Sequence, residues 1–269
     1  MKHPLALATM LGVAMIHGSA FAQEQSKDQQ QCINAMNKGM AKVARAYNKA
    51  FSKCVTARAS GEPQDIFACA GNDAKLVSAQ GKNLDQQDKH CAQTPDFGFT
   101  SAGNVNSRTE FEAANFAGDV FGSNSGVTLC GTDAAGCKCQ AKVFKSATRL
   151  YKAHLKAFNK CKKQGLKDSG AAFDDAADVA TCVSQDRKSK LAKSAGKIGT
   201  TVEKKCGGVA TPFSEGSCDG LTGGPLADCL QAQVRCHVCL TETIGDNLSF
   251  DCDTFDDGNG KNGSCFDKS

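Results

Sequence analysis

CINAMNKGMAKVARAYNKAFSKC (residues 32–54) and CQAKVFKSATRLYKAHLKAFNKC (residues 139–161) lie 107 residues apart and end in nearly the same nonapeptide, AYNKAFSKC and AHLKAFNKC. Each is bounded by cysteines 22 residues apart. At 100° per residue that spacing is about six turns plus 40°, so both cysteines share one face of a helix roughly 33 Å long. Counting from Cys32, the residues Met36, Met40, Val43, Tyr47, Phe51 and Cys54 fall between about 0° and 100°, whereas Lys38, Lys42, Arg45, Lys49 and Lys53 fall between about 220° and 300°. Counting from Cys139, Val143, Phe144, Leu150, Tyr151, His154, Leu155 and Phe158 occupy about 20–160°, and Lys142, Lys145, Arg149, Lys152, Lys156 and Lys160 again occupy about 220–300°. Both stretches are amphipathic helices with cysteines in or beside the apolar stripe.

The cysteines around them fall into step. Cys32, Cys54, Cys69, Cys91, Cys130 and Cys137 match Cys139, Cys161, Cys182, Cys206, Cys229 and Cys236, and KLVSAQGK (75–82) matches KLAKSAGK (190–197). A six-cysteine unit has been duplicated. Within each unit a second helix, between the third and fourth cysteines, is expected to fold back on the first across a link rich in breakers, SGEP (60–63) in one copy and Gly165 and Gly170 in the other. An antiparallel hairpin brings its ends together, which pairs Cys54 with Cys69 and Cys161 with Cys182 near the turns, and Cys32 with Cys91 and Cys139 with Cys206 at the open ends. Four cysteines, Cys218, Cys239, Cys252 and Cys265, stand outside the repeat; Cys252–Cys265 is the natural local pair, and the pairing of Cys130, Cys137, Cys218, Cys229, Cys236 and Cys239 stays open.

The expected fold is therefore all-α: two tandem disulfide-stapled helical hairpins, residues 23–138 and 139–238, with loop-rich connections and a cysteine-rich acidic tail at 239–269. Residues 1–22 read as a secretory signal peptide. Lys2 and His3 precede a mostly apolar run, Pro4 to Ile16, and Ala20-Phe21-Ala22 then forms a small-residue cleavage site after which Gln23 would begin the mature chain. The run is shorter than the roughly 20 residues of a membrane span, and no later stretch is apolar enough to be one. A secreted or periplasmic location follows, and in that setting sixteen cysteines are a disulfide framework. With no Trp and 6% aromatic residues, the chain relies on such staples.

Chemistry-bearing motifs are few. Cys236-His-Val-Cys239 and Cys137-Lys-Cys139 invite zinc or redox readings, but no βαβ pattern surrounds them and their spacing already serves the repeat. DTFDDGNGKNGS (253–264) has Asp257 and Gly258 where an EF-hand needs positions 5 and 6, but Phe255 and Ser264 where it needs ligands. A calcium site there would have to draw on Asp251, Asp253, Asp256 and Asp257, and a solvated loop is the preferred reading. The nucleophile elbow, the zincin helix and the P-loop are all missing. His90, His154 and His237 are scattered, with His154 on the buried stripe. Neither an enzyme nor a cofactor is expected. Charge is the most informative remainder: residues 139–206 hold 16 Lys and Arg against 6 Asp and Glu, whereas residues 207–269 hold 3 against 10. The expectation is a non-catalytic structural or binding module that meets anionic partners, an envelope polymer or an acidic protein surface, through the basic arc Lys142, Lys145, Arg149, Lys152, Lys156 and Lys160. Nucleic acid is not expected, since aromatics to stack bases are scarce. The alternative is a calcium- or zinc-dependent protein, or a secreted enzyme with a dispersed site.

Overall fold

Ser26 starts the first helix with a reciprocal cap: its hydroxyl accepts from the Gln29 amide at 3.2 Å, and the Gln29 side chain accepts from the Ser26 amide at 2.8 Å. From there α1 runs Lys27–Ala59 and ends before Gly61, whose φ of 93° turns the chain. The structure, a computed structural model, describes residues 25–167, 175–260 and 265; residues 1–22, read above as a signal peptide, lie outside them. The helix expected between Cys69 and Cys91 is two helices, α2 (Ile66–Gly71) and α3 (Ala74–His90). The break falls at Asp73, whose carboxylate accepts from the Lys75 amide at 2.9 Å and caps α3 instead of continuing α2. A fourth helix, α4 (Ala102–Phe121), is capped by Ser101 and stopped by Gly122 at φ 69°. It begins seven residues ahead of the apolar-patterned stretch TEFEAANFAGDVF (109–121).

The second copy repeats this order. α5 (Ala134–Gly165) is capped by Asp133, and α6 (Ala176–Ser184) by a reciprocal Asp175–Asp178 pair. The Asp186 carboxylate then gathers the Lys190, Leu191 and Ala192 amides at 2.8–2.9 Å and starts α7 (Lys190–Cys206). α8 (Gly223–Asp246) follows, and α9 (Cys252–Asp257) closes the tail. Among the described residues these are nine α-helices and no strand. The helices run through both residues 138–139 and 238–239, where cysteine spacing alone would divide the chain.

The hairpins close as their spacing requires. Cys32–Cys91 and Cys54–Cys69 hold α1 against α2 and α3, with Cα separations of 4.7 and 6.0 Å, and Cys139–Cys206 and Cys161–Cys182 hold α5 against α7 and α6 at 4.9 and 5.9 Å. Cys130–Cys137 closes the start of α5. The repeat of pairing stops there, although the spacing continues. Cys229, the counterpart of Cys130, bonds Cys218, and Cys236 bonds Cys265.

The local pair Cys252–Cys265 is corrected: Cys252 bonds Cys239 and Cys265 bonds Cys236. Cys236 and Cys239 are three residues apart and share one face of α8. The tail packs α9 onto that face rather than closing on itself, so each tail cysteine meets a helix cysteine.

The two copies share one hydrophobic core. α1 packs on α5 and α4 on α8, and an aromatic seam crosses the join: Phe51 lies 5.4 Å from Phe144, and Phe116 5.3 Å from Tyr151. Eight disulfides mark the fold of an oxidising compartment outside the cytoplasm. No helix among the described residues is long and apolar enough to cross a membrane.

Candidate anion-binding face

The apolar stripe of α5 faces the core, with Val143, Phe144, Leu150, Leu155 and Phe158 all buried, so its opposite arc must face outward. Lys142, Lys145, Arg149, Lys156 and Lys160 are exposed and Lys152 is half-buried. All six of the basic residues singled out by spacing sit on this one face.

What spacing could not give is the company they keep. On one side, a groove of ≈ 870 Å³ runs between α5 and α1, where Arg45, Lys49 and Lys53 face Lys142, Lys145, Arg149 and Lys152. On the other, a groove of ≈ 550 Å³ lies between α5 and α7. Arg149, Lys152, Lys156 and Lys160 line it from α5, Arg187 and Lys188 from the α6–α7 turn, and Lys190, Lys193 and Lys197 from α7; Asp186 is the acidic residue in its wall. A smaller hollow of ≈ 240 Å³ adds Lys204 and Lys205 beside Lys142, Lys145 and Arg149. α5 is thus the ridge between grooves whose far walls are also basic.

Like charges at this density disfavour one another. The Lys152 ammonium is held below its ordinary value first by Arg45 across the α1–α5 groove, then by Lys156 and by partial burial. Few carboxylates offset the field. Lys53 pairs with Asp73 at 3.1 Å at the edge, and Asp186 has three of its acceptor positions taken by backbone amides. Such a surface attracts a multiply charged anion, and partial shelter in the grooves makes each contact stronger than on a flat surface.

The other candidates are placed differently. Asp251 caps α9, accepting from the Thr254 amide at 2.9 Å and its hydroxyl at 2.8 Å; Asp253 accepts from the Cys265 amide, Asp257 from the Asn259 amide, and Asp256 is buried near Arg235. The calcium candidates thus lie on α9 and its cap, with Asp253, Asp256 and Asp257 inside the helix and Asp251 at its start. Among the described residues no group of three or more His, Cys, Asp and Glu side chains is arranged to hold a metal ion. Cys236 and Cys239 are both in disulfides and no cysteine is free, so the zinc reading lacks its thiolates.

Buried charge is the feature that spacing arguments passed over. Lys162 of α5 donates to Asn37 of α1 at 2.9 Å and to Glu242 and Asp246 of α8, all four side chains being buried. His237 of α8 lies between two carboxylates of α4, with Nδ1 3.0 Å from Glu112 and Nε2 2.8 Å from Asp119. Burial pushes the His237 imidazole down, but the Asp119 and Glu112 hydrogen bonds outweigh it and hold the pKa above its ordinary value. With a carboxylate at each nitrogen, the charged form of this histidine is favoured, and the ring ties α4 to α8. The Tyr151 hydroxyl, 2.8 Å from Thr241, joins α5 to the same helix. These groups stitch the two copies together in the interior.

No family model, curated protein or solved structure matches this chain.

Proposed function

We propose that the chain is a non-catalytic binding protein of the periplasm or extracellular space, and that its ligand is a linear polyanion gripped by the basic face of the second copy. The observation that carries this reading is the α5–α7 groove, in which nine basic side chains face one carboxylate. From Lys142 to Lys160 the arc extends about 27 Å along α5 at 1.5 Å per residue, a length suited to a chain of repeating anionic groups rather than to a single small anion. Stapling suits such a role. Each hairpin is closed at both ends, so the cations are held in place by the fold before the ligand arrives, which lowers the ordering cost of binding.

Retention on an immobilised linear polyanion tests the proposal. The variant Lys145→Glu/Lys152→Glu/Lys156→Glu is compared with Lys75→Glu/Lys82→Glu/Lys89→Glu, which changes net charge equally on α3, away from all three grooves. The α5 variant should elute at much lower salt while the α3 variant stays near the parent. Equal shifts would mean that net charge alone sets retention, and the reading would fall.

A further inference from the structure

A different cleft lies on the other side of the α6–α7 turn from the basic groove. It has a volume of ≈ 800 Å³ and lies between α5, α6, α7, α8 and the start of α9. Its walls are mainly apolar, including Leu150, Ala180, Val183, Leu191, Phe250 and Phe255. This is the size and lining of a small-molecule site. Its charged groups are Asp175, Asp186 and Asp251 against Arg235. Arg235 is itself faced by Asp256, Asp257 and Asp228, so the cleft has no surplus positive charge to offer an anion. It is opposite in character to the groove beside it.

His154 lines this cleft and is 5% exposed. Its Nδ1 is buried and has no hydrogen-bond partner among the described residues. Burial first, and Arg235 next, push the imidazole down to about 4 against a smaller opposing effect of Asp186, so the ring is neutral at ordinary pH. A neutral imidazole carries one donor and one acceptor nitrogen. Leaving such a group unpaired in an apolar wall is costly, and natural interiors rarely do so without a functional reason. The repeat sharpens the point. The matching residue of the first copy is Tyr47, a larger side chain that is fully buried beside Phe51 at 6.3 Å. The second copy has a smaller, polar ring at the same place, with Phe255 edge-on at 6.0 Å.

We propose that this cleft binds a small uncharged molecule made of an aromatic or aliphatic ring bearing one hydroxyl group, the ring packed against Phe250 and Phe255 and the hydroxyl paired with His154. A hydroxyl fits because it both donates and accepts, and so meets either tautomer of the ring. Absence of charge fits the carboxylates in the wall.

Calorimetric titration of the oxidised full chain with 1-naphthol, naphthalene and 1-naphthoate tests the assignment. 1-Naphthol should bind saturably at one site, with naphthalene about tenfold weaker or more, as the loss of one buried hydrogen bond implies, and naphthoate weakened likewise by its charge beside Asp175, Asp186 and Asp251. His154→Phe, which keeps a ring and removes both nitrogens, should bring 1-naphthol down to the naphthalene level. Ala180→Trp, at a partly exposed position in the wall, should abolish binding of both, and it tests the cleft even if His154→Phe does not fold. Failure of 1-naphthol to saturate, naphthoate binding more tightly than naphthol, or binding unchanged by either variant in a folded, thiol-free protein would overturn the assignment.

Discussion

Replacing Lys162 by methionine keeps a long, flexible side chain in the core and removes the positive charge that sits between Glu242 and Asp246. All three side chains are at most 5% exposed, so the two carboxylates cannot turn to water. Removing one partner of a buried ion pair costs about 3–5 kcal/mol, because the remaining charge is left without compensation. The loss should depend on pH in a definite direction. Burial pushes Glu242 up to about 7, with Lys162 pulling it back and Asp246 adding to the rise, and burial raises Asp246 against the pull of Lys162. A carboxylate whose folded-state pKa exceeds its unfolded value holds a proton that unfolding releases. Its stabilising contribution is complete below about 4 and is lost as pH rises through about 7. Without Lys162 both carboxylates need a proton more strongly still. Lys162→Met should therefore cost about 3–5 kcal/mol at pH 8 and clearly less at pH 5, where protonation relieves the pair. Guanidinium unfolding under non-reducing conditions at the two pH values measures this. The triple variant Lys162→Met/Glu242→Met/Asp246→Leu should regain most of the loss at pH 8, since an apolar replacement of a whole buried cluster is close to neutral. Equal destabilisation at both pH values, or a loss below about 1 kcal/mol at pH 8, would refute the reasoning.

Gly39→Ala should destabilise, although alanine gains about 1 kcal/mol in helix propensity, because a Cβ there would meet Asn83 Oδ1 at 1.6 Å and displace the side chain whose Nδ2 donates to Asn106; a variant more stable than the parent would contradict the close α1–α3 approach. The His237 midpoint should lie above its ordinary value of 6.5, its stabilising contribution complete below that pH and lost as pH rises through the raised folded value; ring nitrogen chemical shifts followed across a pH titration would show this, and a midpoint at or below 6.5 would oppose it. Peptide mapping of the unreduced protein should recover Cys236 with Cys265 and Cys239 with Cys252. Recovery of a Cys252–Cys265 peptide would instead return the tail to a self-closed loop.

The long helices and the nested hairpin bridges were legible because one number, a spacing of 22, sets both the helical face and the reach of the cysteines. The helix breaks were legible in principle too. Asp73 and Asp186 are capping residues just ahead of the paired KL motifs, and reading them as caps would have split each second helix correctly. Lys162 carried a signal of the same kind: it falls at about 140° from Cys139, inside the apolar stripe, where a lysine needs buried acids. The tail pairing had no such signal. Cys236 and Cys239 become neighbours of the tail only because α9 docks on α8, and no local pattern encodes that docking. The candidate face was half visible. The arc on α5 followed from periodicity, but Arg187, Lys188, Lys190, Lys193 and Lys197 join it only through the α6–α7 turn, and Arg45 and Lys49 only through the packing of one copy on the other.

Amide chemical-shift mapping of the oxidised protein during titration with a linear polyphosphate addresses the binding face most directly. Saturable shifts should concentrate on Lys152, Lys156 and Lys160 of α5 and on Lys193 and Lys197 of α7, and should weaken steeply with added salt. Saturable shifts centred on α3, α4 or the acidic tail, with α5 and α7 unmoved, would contradict the account.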